Sequence, residues 1–354
     1  MLSAQDNELL TRSGPGTPGG AYFRRFWLPV ALSRQIPEPD CPPIRLKVLG
    51  EDLIAFRDTK GRVGVVEPRC PHRGASLYYG RNEECGLRCV YHGWKFDVEG
   101  HCMEIPNAPP DSRYKDRIRL LAYPTREYGE IVWAYMGPAD AEPAAEIPQL
   151  EFGLVPSSHR YVTKRLQQCN WAQSIEGALD TAHASFLHMP APVQVANLSP
   201  GVAVPVDEAR ARWIRNDPMP QFNIAEHEAG FVIGASRAAD GDELYWRTTQ
   251  FMLPSHATTP SALPGETYFG YTWVPIDDVS CWIYTYAWNP DRPLSESERE
   301  KFGSGRLGTI GAVDENYVPL RNRENDYLID RHDQRTRTYT GVQGVAEQDA
   351  MIQD

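Results

Sequence analysis

The sequence contains no apolar run approaching the roughly 20 residues that a membrane-spanning helix needs. Its first residues, Met-Leu-Ser-Ala-Gln-Asp-Asn-Glu, include neither a basic segment nor an apolar core, so they do not resemble a secretory signal peptide. A run of basic residues is also lacking, and the net charge of −11 argues against binding to nucleic acid. These absences predict a cytoplasmic protein with neither a membrane nor a nucleic-acid partner.

Cysteine is scarce, at 7 of 354 residues, and no G-x-G-x-x-G motif follows a predicted strand. Without that motif the chain is not expected to oxidise NAD(P)H itself. Hydrophobic residues make up 41% and charged residues 23%, as in an ordinary globular protein, and the length allows two domains. We expect five cysteines to be free thiols in a reducing compartment: Cys41, Cys85, Cys102, Cys169 and Cys281.

The most informative motifs are two short segments that each pair a cysteine with a histidine. Cys70 and His72 come first, 16 residues follow, and then come Cys89 and His92. Two thiolates on one iron and two imidazoles on the other are the ligands of a Rieske 2Fe–2S cluster, which the pattern therefore predicts. The alternative is a zinc site that could also recruit Cys85, although zinc sites usually group like ligands together.

A second candidate metal site lies in the run Asp180-Thr-Ala-His183-Ala-Ser-Phe-Leu-His188. Two histidines and one carboxylate form the facial triad of non-haem Fe(II) oxygenases. Residues five apart lie about 140° apart on an ideal helix, so one iron can bind both histidines only if the helix ends or distorts after His183. The alternative is a pair of merely packed or solvated histidines. The Cys/His segments in the same chain favour iron.

The pattern of apolar residues and turns divides the chain into two parts. Short strand-like segments between turns predict an all-β domain over residues 20–150, and a Pro- and Ala-rich stretch over residues 137–148 indicates a connection. Residues 155–354 predict an α+β domain, an antiparallel sheet with helices. Its first helix is expected to begin at Asn170 and to keep an apolar face from Trp171 to Phe186. Ser295 and Glu298 predict the start of another helix.

The two metal motifs together resemble those of the oxygenase (alpha) subunits of Rieske non-haem iron ring-hydroxylating oxygenases. The strings Cys-Pro-His-Arg-Gly-Ala-Ser-Leu and Cys-Val-Tyr-His-Gly-Trp-Lys-Phe-Asp and the D-x2-H-x4-H signature carry this resemblance. Further strings, such as Tyr245-Trp-Arg-Thr-Thr-Gln, are similar to the phthalate dioxygenase-like group. The resemblance covers essentially the whole chain. It implies an N-terminal Rieske domain over residues 20–150 and a C-terminal helix-grip catalytic domain over residues 155–354.

The resemblance also implies two cofactors, a Rieske 2Fe–2S cluster and a mononuclear non-haem Fe(II). The family's third iron ligand is a carboxylate near the C-terminus. Asp349 is our choice for it, and Glu347, Asp333 and Asp354 are the competitors.

In this family the electron passes between neighbouring subunits of a head-to-tail trimer, and trimers can stack into hexamers. Asp180 is then expected to hydrogen-bond both His183 and His92 of the neighbouring subunit, which would couple the two centres. Asn170 has two readings. It is either a catalytic residue near the iron, like the matching asparagine of relatives, or a helix cap.

The implied activity is that of a terminal oxygenase, an oxidoreductase that receives electrons from an NAD(P)H-dependent flavin/2Fe–2S reductase. It would hydroxylate an aromatic acid of the phthalate or benzoate type, and dihydroxylation is the form of this reaction that we expect. The alternatives are oxidative O- or N-demethylation of a methoxy or methylamino aromatic, and electron transfer by a Rieske carrier without oxygenase activity.

A substrate carboxylate needs a fixed cation, and arginine binds it with two parallel hydrogen bonds. Arg247 is the leading candidate, because it falls in an apolar strand where an unpaired guanidinium is costly. Arg210, Arg212 and Arg237 are secondary candidates. For each of these arginines, the alternative is a surface position or an internal carboxylate partner.

Overall fold

The computed structural model describes residues 2–109, 111–137, 146–190, 208–258, 265–305 and 309–354. Two compact units can be distinguished, one of residues 1–154 and 274–278 and one of residues 155–273 and 279–354. Most of the connection predicted over residues 137–148 lies outside the described residues. Within the described part of the chain, every helix is too short or too polar to cross a membrane.

The first unit is built from short antiparallel strands, which fit its short apolar runs between turns. Its strands are β1 (Trp27–Leu32), β2 (Ile44–Val48), β3 (Glu51–Arg57), β4 (Val63–Val66), β5 (Arg81–Glu83), β6 (Gly86–Arg88), β7 (Lys95–Phe96), β8 (Cys102–Glu104), β9 (Ala122–Tyr123), β10 (Thr125–Tyr128) and β11 (Ile131–Tyr135). They form three sheets with the orders β1-β11-β10, β2-β3-β4-β9 and β5-β6-β7-β8. Three helices also belong to this unit: α1 (Ala4–Thr11), α2 (Pro18–Phe23) and α3 (Glu151–Leu154).

One apolar core of the first unit contains the two cysteines of the Cys/His segments. Phe56 and Phe96 are fully buried in it, and Cys70 and Cys89 are 2% and 3% exposed. Both thiols therefore lie in a largely apolar surrounding.

The second unit is a seven-stranded antiparallel sheet with helices, which confirms the predicted α+β class. Its strand order is β12-β18-β17-β16-β15-β14-β13. The strands are β12 (Arg160–Gln167), β13 (Gln221–His227), β14 (Gly230–Ala238), β15 (Leu244–Met252), β16 (His256–Thr258), β17 (Tyr268–Asp277) and β18 (Ser280–Trp288). The helices are α4 (Trp171–Leu179), α5 (Glu208–Asn216), α6 (Glu296–Gly303), α7 (Arg331–Thr336) and α8 (Val345–Gln353).

Helix α4 covers one face of this sheet, and the strand register shows which side chains share that face. The indole N–H of Trp273 on β17 donates to Ser174 Oγ on α4 at 2.8 Å. Directly paired residues of antiparallel strands point to the same face, and alternate residues along a strand do so too. When the paired residues are followed from β17 through β16 and β15 to β14, the side chains of Arg247 on β15 and Arg237 on β14 lie on the same face as Trp273, the face that α4 covers.

The prediction that the first helix keeps an apolar face as far as Phe186 is wrong. Helix α4 ends at Leu179, and Phe186 is 52% exposed. The cause is the Asp180 side chain, which accepts hydrogen bonds from the N–H groups of Ala182 at 2.7 Å and His183 at 3.3 Å. Such local bonds offer the backbone an alternative to the helix. The predicted helix starts are confirmed, with Asn170 capping α4 and Ser295 forming a capping box with Glu298 on α6.

Candidate metal centres

The Cys/His segments form two loops with the same hydrogen-bond pattern. In each loop the cysteine N–H donates to the carbonyl of the residue five positions later. The N–H of the glycine four positions after the cysteine donates back to the cysteine carbonyl. The partners are Ala75 and Gly74 for Cys70 (2.9 and 2.9 Å), and Trp94 and Gly93 for Cys89 (2.8 and 2.9 Å). The two glycines have φ values of +67° and +78°, in the region that favours glycine.

An arginine directly before each cysteine closes each loop in the same way. Arg69 Nη1 donates to the carbonyl of Gly74 at 3.2 Å, and Arg88 Nη1 donates to the carbonyl of Gly93 at 3.1 Å. Arg88 also pairs with Glu104 at 2.9 Å. The chain thus presents two equivalent loops, each offering one thiol and one imidazole.

The imidazoles of the two loops lie side by side. The ring centroids of His72 and His92 are 4.4 Å apart, and His72 stacks on Trp94 at 4.6 Å. Burial and the neighbouring His92 lower the pKa of His72, so it is a neutral ligand at pH 7. His92 Nδ1 is buried and has no hydrogen-bond partner among the described residues, as expected of an atom reserved for a metal.

The spacing of these donors fits a two-iron cluster better than a single zinc ion. Within the described residues, no three donor atoms of the two loops lie within 4.8 Å of one another. Tetrahedral zinc, with bonds of about 2.0–2.3 Å, needs donors less than about 4 Å apart. Cys85 lies in the β5–β6 turn, where its N–H donates to Thr59 Oγ1.

Three side chains of the second unit converge on one point. The Nε2 atoms of His183 and His188 are 3.1 Å apart, and Asp349 Oδ1 lies 3.3 Å from Nε2 of His188 and 3.7 Å from Nε2 of His183. Two imidazoles and one carboxylate with this spacing fit the facial triad of a non-haem iron. The end of α4 before His183 makes this convergence possible.

The other carboxylates considered for the iron have different contacts. Glu347 is buried against Gly311 and Gly344. Asp354 accepts hydrogen bonds from the Tyr327 hydroxyl at 2.6 Å and the Gln168 N–H at 3.1 Å. Asp333 pairs with Arg337 at 3.7 Å. Of the four candidates, the structure brings only Asp349 to the two histidines.

Each histidine of this triad has a hydrogen-bond partner at its other ring nitrogen. Asp180 Oδ2 lies 3.3 Å from His183 Nδ1, and this hydrogen bond, as the main cause, lowers the pKa of Asp180 to about 2. Gln348 Oε1 lies 2.7 Å from His188 Nδ1. Gln348 is not predicted as a site residue from the sequence, in which its position directly before Asp349 is the one available signal.

Asn170 lies at the opposite end of α4 from Asp180. Its Oδ1 accepts the N–H of Gln173 at 2.9 Å, which makes it the N-cap of the helix. The nine residues of α4 separate the two ends by about 13 Å. The helix-cap role of Asn170 is therefore observed, and its catalytic role stays a prediction.

Two arginines on the sheet face under α4 form no salt bridge among the described residues; Arg237 is buried and Arg247 is partly buried. Arg247 Nε is buried with no hydrogen-bond partner, and its charge is close enough to His188 to oppose protonation of that imidazole. Arg237 is 1% exposed and donates to the carbonyls of Thr181 at 2.7 Å and Asp217 at 3.1 Å, while its Nη1 has no partner. Burial and then Arg247 lower the pKa of Arg237.

The remaining two arginine candidates lie on α5. Arg212 forms two hydrogen bonds with Asp240, at 2.7 and 2.9 Å, so its charge is already paired. Arg210 has no ion pair within the described part of the chain. It lies one helical turn before Trp213, whose ring packs on Tyr245 of β15 at 5.4 Å.

Comparisons with known proteins agree with these two centres. Residues 26–124 match the family described as Rieske 2Fe-2S domain, and residues 134–354 match the family described as LigXa C-terminal domain like. The phthalate 4,5-dioxygenase oxygenase subunit of Pseudomonas putida is 39% identical over 99% of this chain and 78% of its own length. The 3-chlorobenzoate-3,4-dioxygenase oxygenase subunit of Comamonas testosteroni is 36% identical over 100% of this chain and 82% of its own length.

The chain belongs to the Rieske non-haem iron oxygenases. It is an oxygenase subunit similar to that of phthalate dioxygenase, which confirms the family predicted from the motifs. Oxygenase subunits of this family carry a Rieske 2Fe–2S cluster and a mononuclear non-haem iron, so the two predicted cofactors are confirmed. The electron-carrier alternative is not supported.

A further relative and a solved structure complete this comparison. The oxygenase subunit of 5,5'-dehydrodivanillate O-demethylase from Sphingobium is 35% identical over 80% of this chain and 63% of its own length. The structure of the reduced complex between oxygenase and ferredoxin in carbazole 1,9a-dioxygenase matches with a TM-score of 0.54, covering 80% of this chain and 75% of that chain. At 21% identity this likeness shows the shared fold of the Rieske oxygenases.

The two glycines of the cluster loops give a matched test of the loop geometry. Alanine at either position is strained by about 1–2 kcal/mol because φ is positive. A Cβ at Gly93 would also lie 2.9 Å from Pro106 Cγ, whereas a Cβ at Gly74 meets nothing within 4 Å. We expect Gly93→Ala to lose more cluster than Gly74→Ala, measured as iron and acid-labile sulfide per chain. Equal cluster content in the two variants would contradict this geometry.

Proposed function

We propose that this chain is the terminal oxygenase that uses O2 and electrons from an NAD(P)H-dependent flavin/2Fe–2S reductase to dihydroxylate an aromatic carboxylate of the phthalate or benzoate type. The observation that carries the proposal is the pair of arginines, Arg247 and Arg237, that share the sheet face under α4 and each keep a buried guanidinium nitrogen without a hydrogen-bond partner among the described residues. Two relatives support it, since they are named for phthalate and 3-chlorobenzoate, which are both aromatic carboxylates.

The physical reason is the cost of burying unpaired charge. A guanidinium taken out of water without an anionic partner is destabilising by several kcal/mol in typical cases. Arg247 and Arg237 also repel each other. Burial first and then this repulsion lower the pKa of Arg237, although Asp217 and Asp180 act in the opposite direction. A bound carboxylate would reduce both unfavourable free energies. Their relief would then contribute to the affinity of the site for an anion.

The position of Arg247 also orients the substrate. Its charge acts on His188, so the cation lies near the metal-binding side chains. A carboxylate held there would fix which ring carbons face the triad. When iron is bound, the triad leaves coordination positions for O2, and the Rieske cluster supplies electrons. The protein's own part is to hold the acid, to exclude other orientations and to keep His183 and His188 aimed at one point.

We further propose that Asp180 links the two centres across a subunit interface of a homotrimer or a hexamer of stacked trimers. The Asp180 side chain is 47% exposed although it bonds His183, so part of the carboxylate is free to accept a bond from another chain. Tyr91, next to the cluster ligand His92, is 62% exposed. A carboxylate bonded to a histidine of each centre would fix both imidazoles and shorten the route for the electron.

The function is tested with purified oxygenase, a reductase and ferredoxin of a related system, and a panel of benzoate, the phthalate isomers and methoxybenzoates. The proposal expects O2 uptake with a cis-dihydrodiol product from a benzoate or phthalate. Release of formaldehyde from methoxybenzoates, without any diol, would replace it by the demethylase alternative, which the O-demethylase relative favours.

Asp180→Asn should keep both metals and reduce turnover more than about 100-fold, since an amide nitrogen cannot accept the bonds that the carboxylate accepts. Iron and sulfide content, steady-state O2 uptake and the rate of cluster reoxidation in a single turnover measure this. Asp240→Asn, which changes an exposed carboxylate of the same unit, is the control and should leave all three unchanged. Fast cluster reoxidation in Asp180→Asn would refute the bridge.

Arg247→Met and Arg210→Met should raise KM for a benzoate-type acid about 10- to 100-fold, the effect of losing a charge-assisted hydrogen bond. Binding of the uncharged methyl ester should change far less, so discrimination between acid and ester is the readout. Arg212→Met is the matched control on α5, because that side chain is paired with Asp240. A variant that loses affinity for acid and ester equally would show a packing role instead.

A further inference from the structure

The two histidines of the triad are supported by chemically different groups. His183 Nδ1 faces the carboxylate of Asp180 at 3.3 Å, whereas His188 Nδ1 faces the side-chain amide of Gln348 at 2.7 Å. The amide contact is the shorter one and is better shielded, because Gln348 is 7% exposed. The support of His188 is therefore neutral and buried, while that of His183 is anionic and partly open to water.

The orientation of the Gln348 amide is fixed by its second hydrogen bond. Its Nε2 donates to the carbonyl of Val342 at 2.8 Å, and an amide nitrogen is the only end of the side chain that can donate. Oε1 must then face His188, where it can only accept. The proton of His188 consequently sits on Nδ1, and the lone pair of Nε2 points to the triad.

Gln348 and the iron ligand Asp349 are consecutive residues of α8 and contact the two ring nitrogens of one imidazole, that of His188. Consecutive residues of a helix point about 100° apart, so their side chains diverge. Asp349 Oδ1 reaches Nε2 of His188 at 3.3 Å, while Gln348 Oε1 reaches Nδ1 at 2.7 Å. Any shift of α8 would move a ligand and the support of a second ligand together.

We propose that Gln348 is a positioning residue of the mononuclear iron site, which holds His188 as the Nδ1–H tautomer and aims its Nε2 at the metal. The inference rests on the iron site of the proposed function and is independent of which substrate is oxidised. It assigns to α8 a double role, as donor of one ligand and as the fixed support of another.

The test measures metal binding directly. The mononuclear metal is removed from the full-length protein with a mild chelator that leaves the cluster, and the protein is titrated with Co(II) under anaerobic conditions. Dialysis gives the dissociation constant. The EPR signal of high-spin Co(II), recorded with the cluster in its oxidised, diamagnetic state, reports the ligand geometry.

Gln348→Met keeps the length of the side chain and removes both hydrogen bonds, so it should bind Co(II) about 10- to 100-fold more weakly, with an altered EPR signal. Gln348→Glu keeps an acceptor for His188 Nδ1 and should bind within a few-fold of wild type. Gln353→Met is the matched control on the same helix, since among the described residues the one hydrogen bond of its side chain goes from Nε2 to the carbonyl of Ser174, at 3.4 Å. It should leave affinity and EPR signal unchanged.

Wild-type affinity and EPR signal in Gln348→Met would overturn the inference. If Gln348→Met loses its cluster or no longer unfolds cooperatively, the test rests on Gln348→Glu instead. A folded Gln348→Glu protein that has lost Co(II) binding would overturn the inference about Gln348. If wild-type protein binds no Co(II) in addition to its cluster, the inference about Gln348, the iron site and the proposed function are all contradicted. A substrate screen without product, in protein that binds Co(II) as expected, would count against the proposed function alone.

Discussion

The second metal centre depends on the hydrogen bonds of one side chain, that of Asp180. Its carboxylate accepts the N–H groups of Ala182 and His183 and so ends α4 before the first histidine. In a continuous helix His183 and His188 would point about 140° apart, and no single metal could bind both. The same carboxylate also reaches His183 Nδ1. The end of α4 and the orientation of the His183 imidazole therefore depend on the same side chain.

The third ligand shows how a site of this kind is assembled from distant parts of the sequence. Asp349 follows His188 by 161 residues, and α8 brings it into place. The helix is held against the region of α4 by main-chain and side-chain bonds, such as that from Gln173 Nε2 to the carbonyl of Gln353 at 2.9 Å. Rigid support of this kind is what keeps metal ligands within the narrow range of useful geometries.

Local patterns predicted the parts of the structure that are decided locally. The Cys/His segments, the strands, the α+β class and the helix cap at Asn170 follow from spacing, alternation and capping preferences. The length of α4 was predicted wrongly, because a side-chain turn at Asp180 overrides an apolar pattern that continues to Phe186. The hydrogen bonds of Arg237 to Thr181 and of Gln348 to His188 join residues 56 and 160 positions apart, which a single sequence does not reveal.

The charges around the triad differ between its two histidines. Asp180 places a negative charge behind His183, on the side that is open to water. Arg247 and Arg237 place positive charge on the sheet face under α4, and Gln348 adds no charge behind His188. Asp180 is also close enough to Arg237 for its negative charge to raise the pKa of that arginine, against the stronger effects of burial and Arg247. The proposed binding of an aromatic acid rests on the positive charge near His188, because attraction over a few ångströms in a partly buried site is weakly screened.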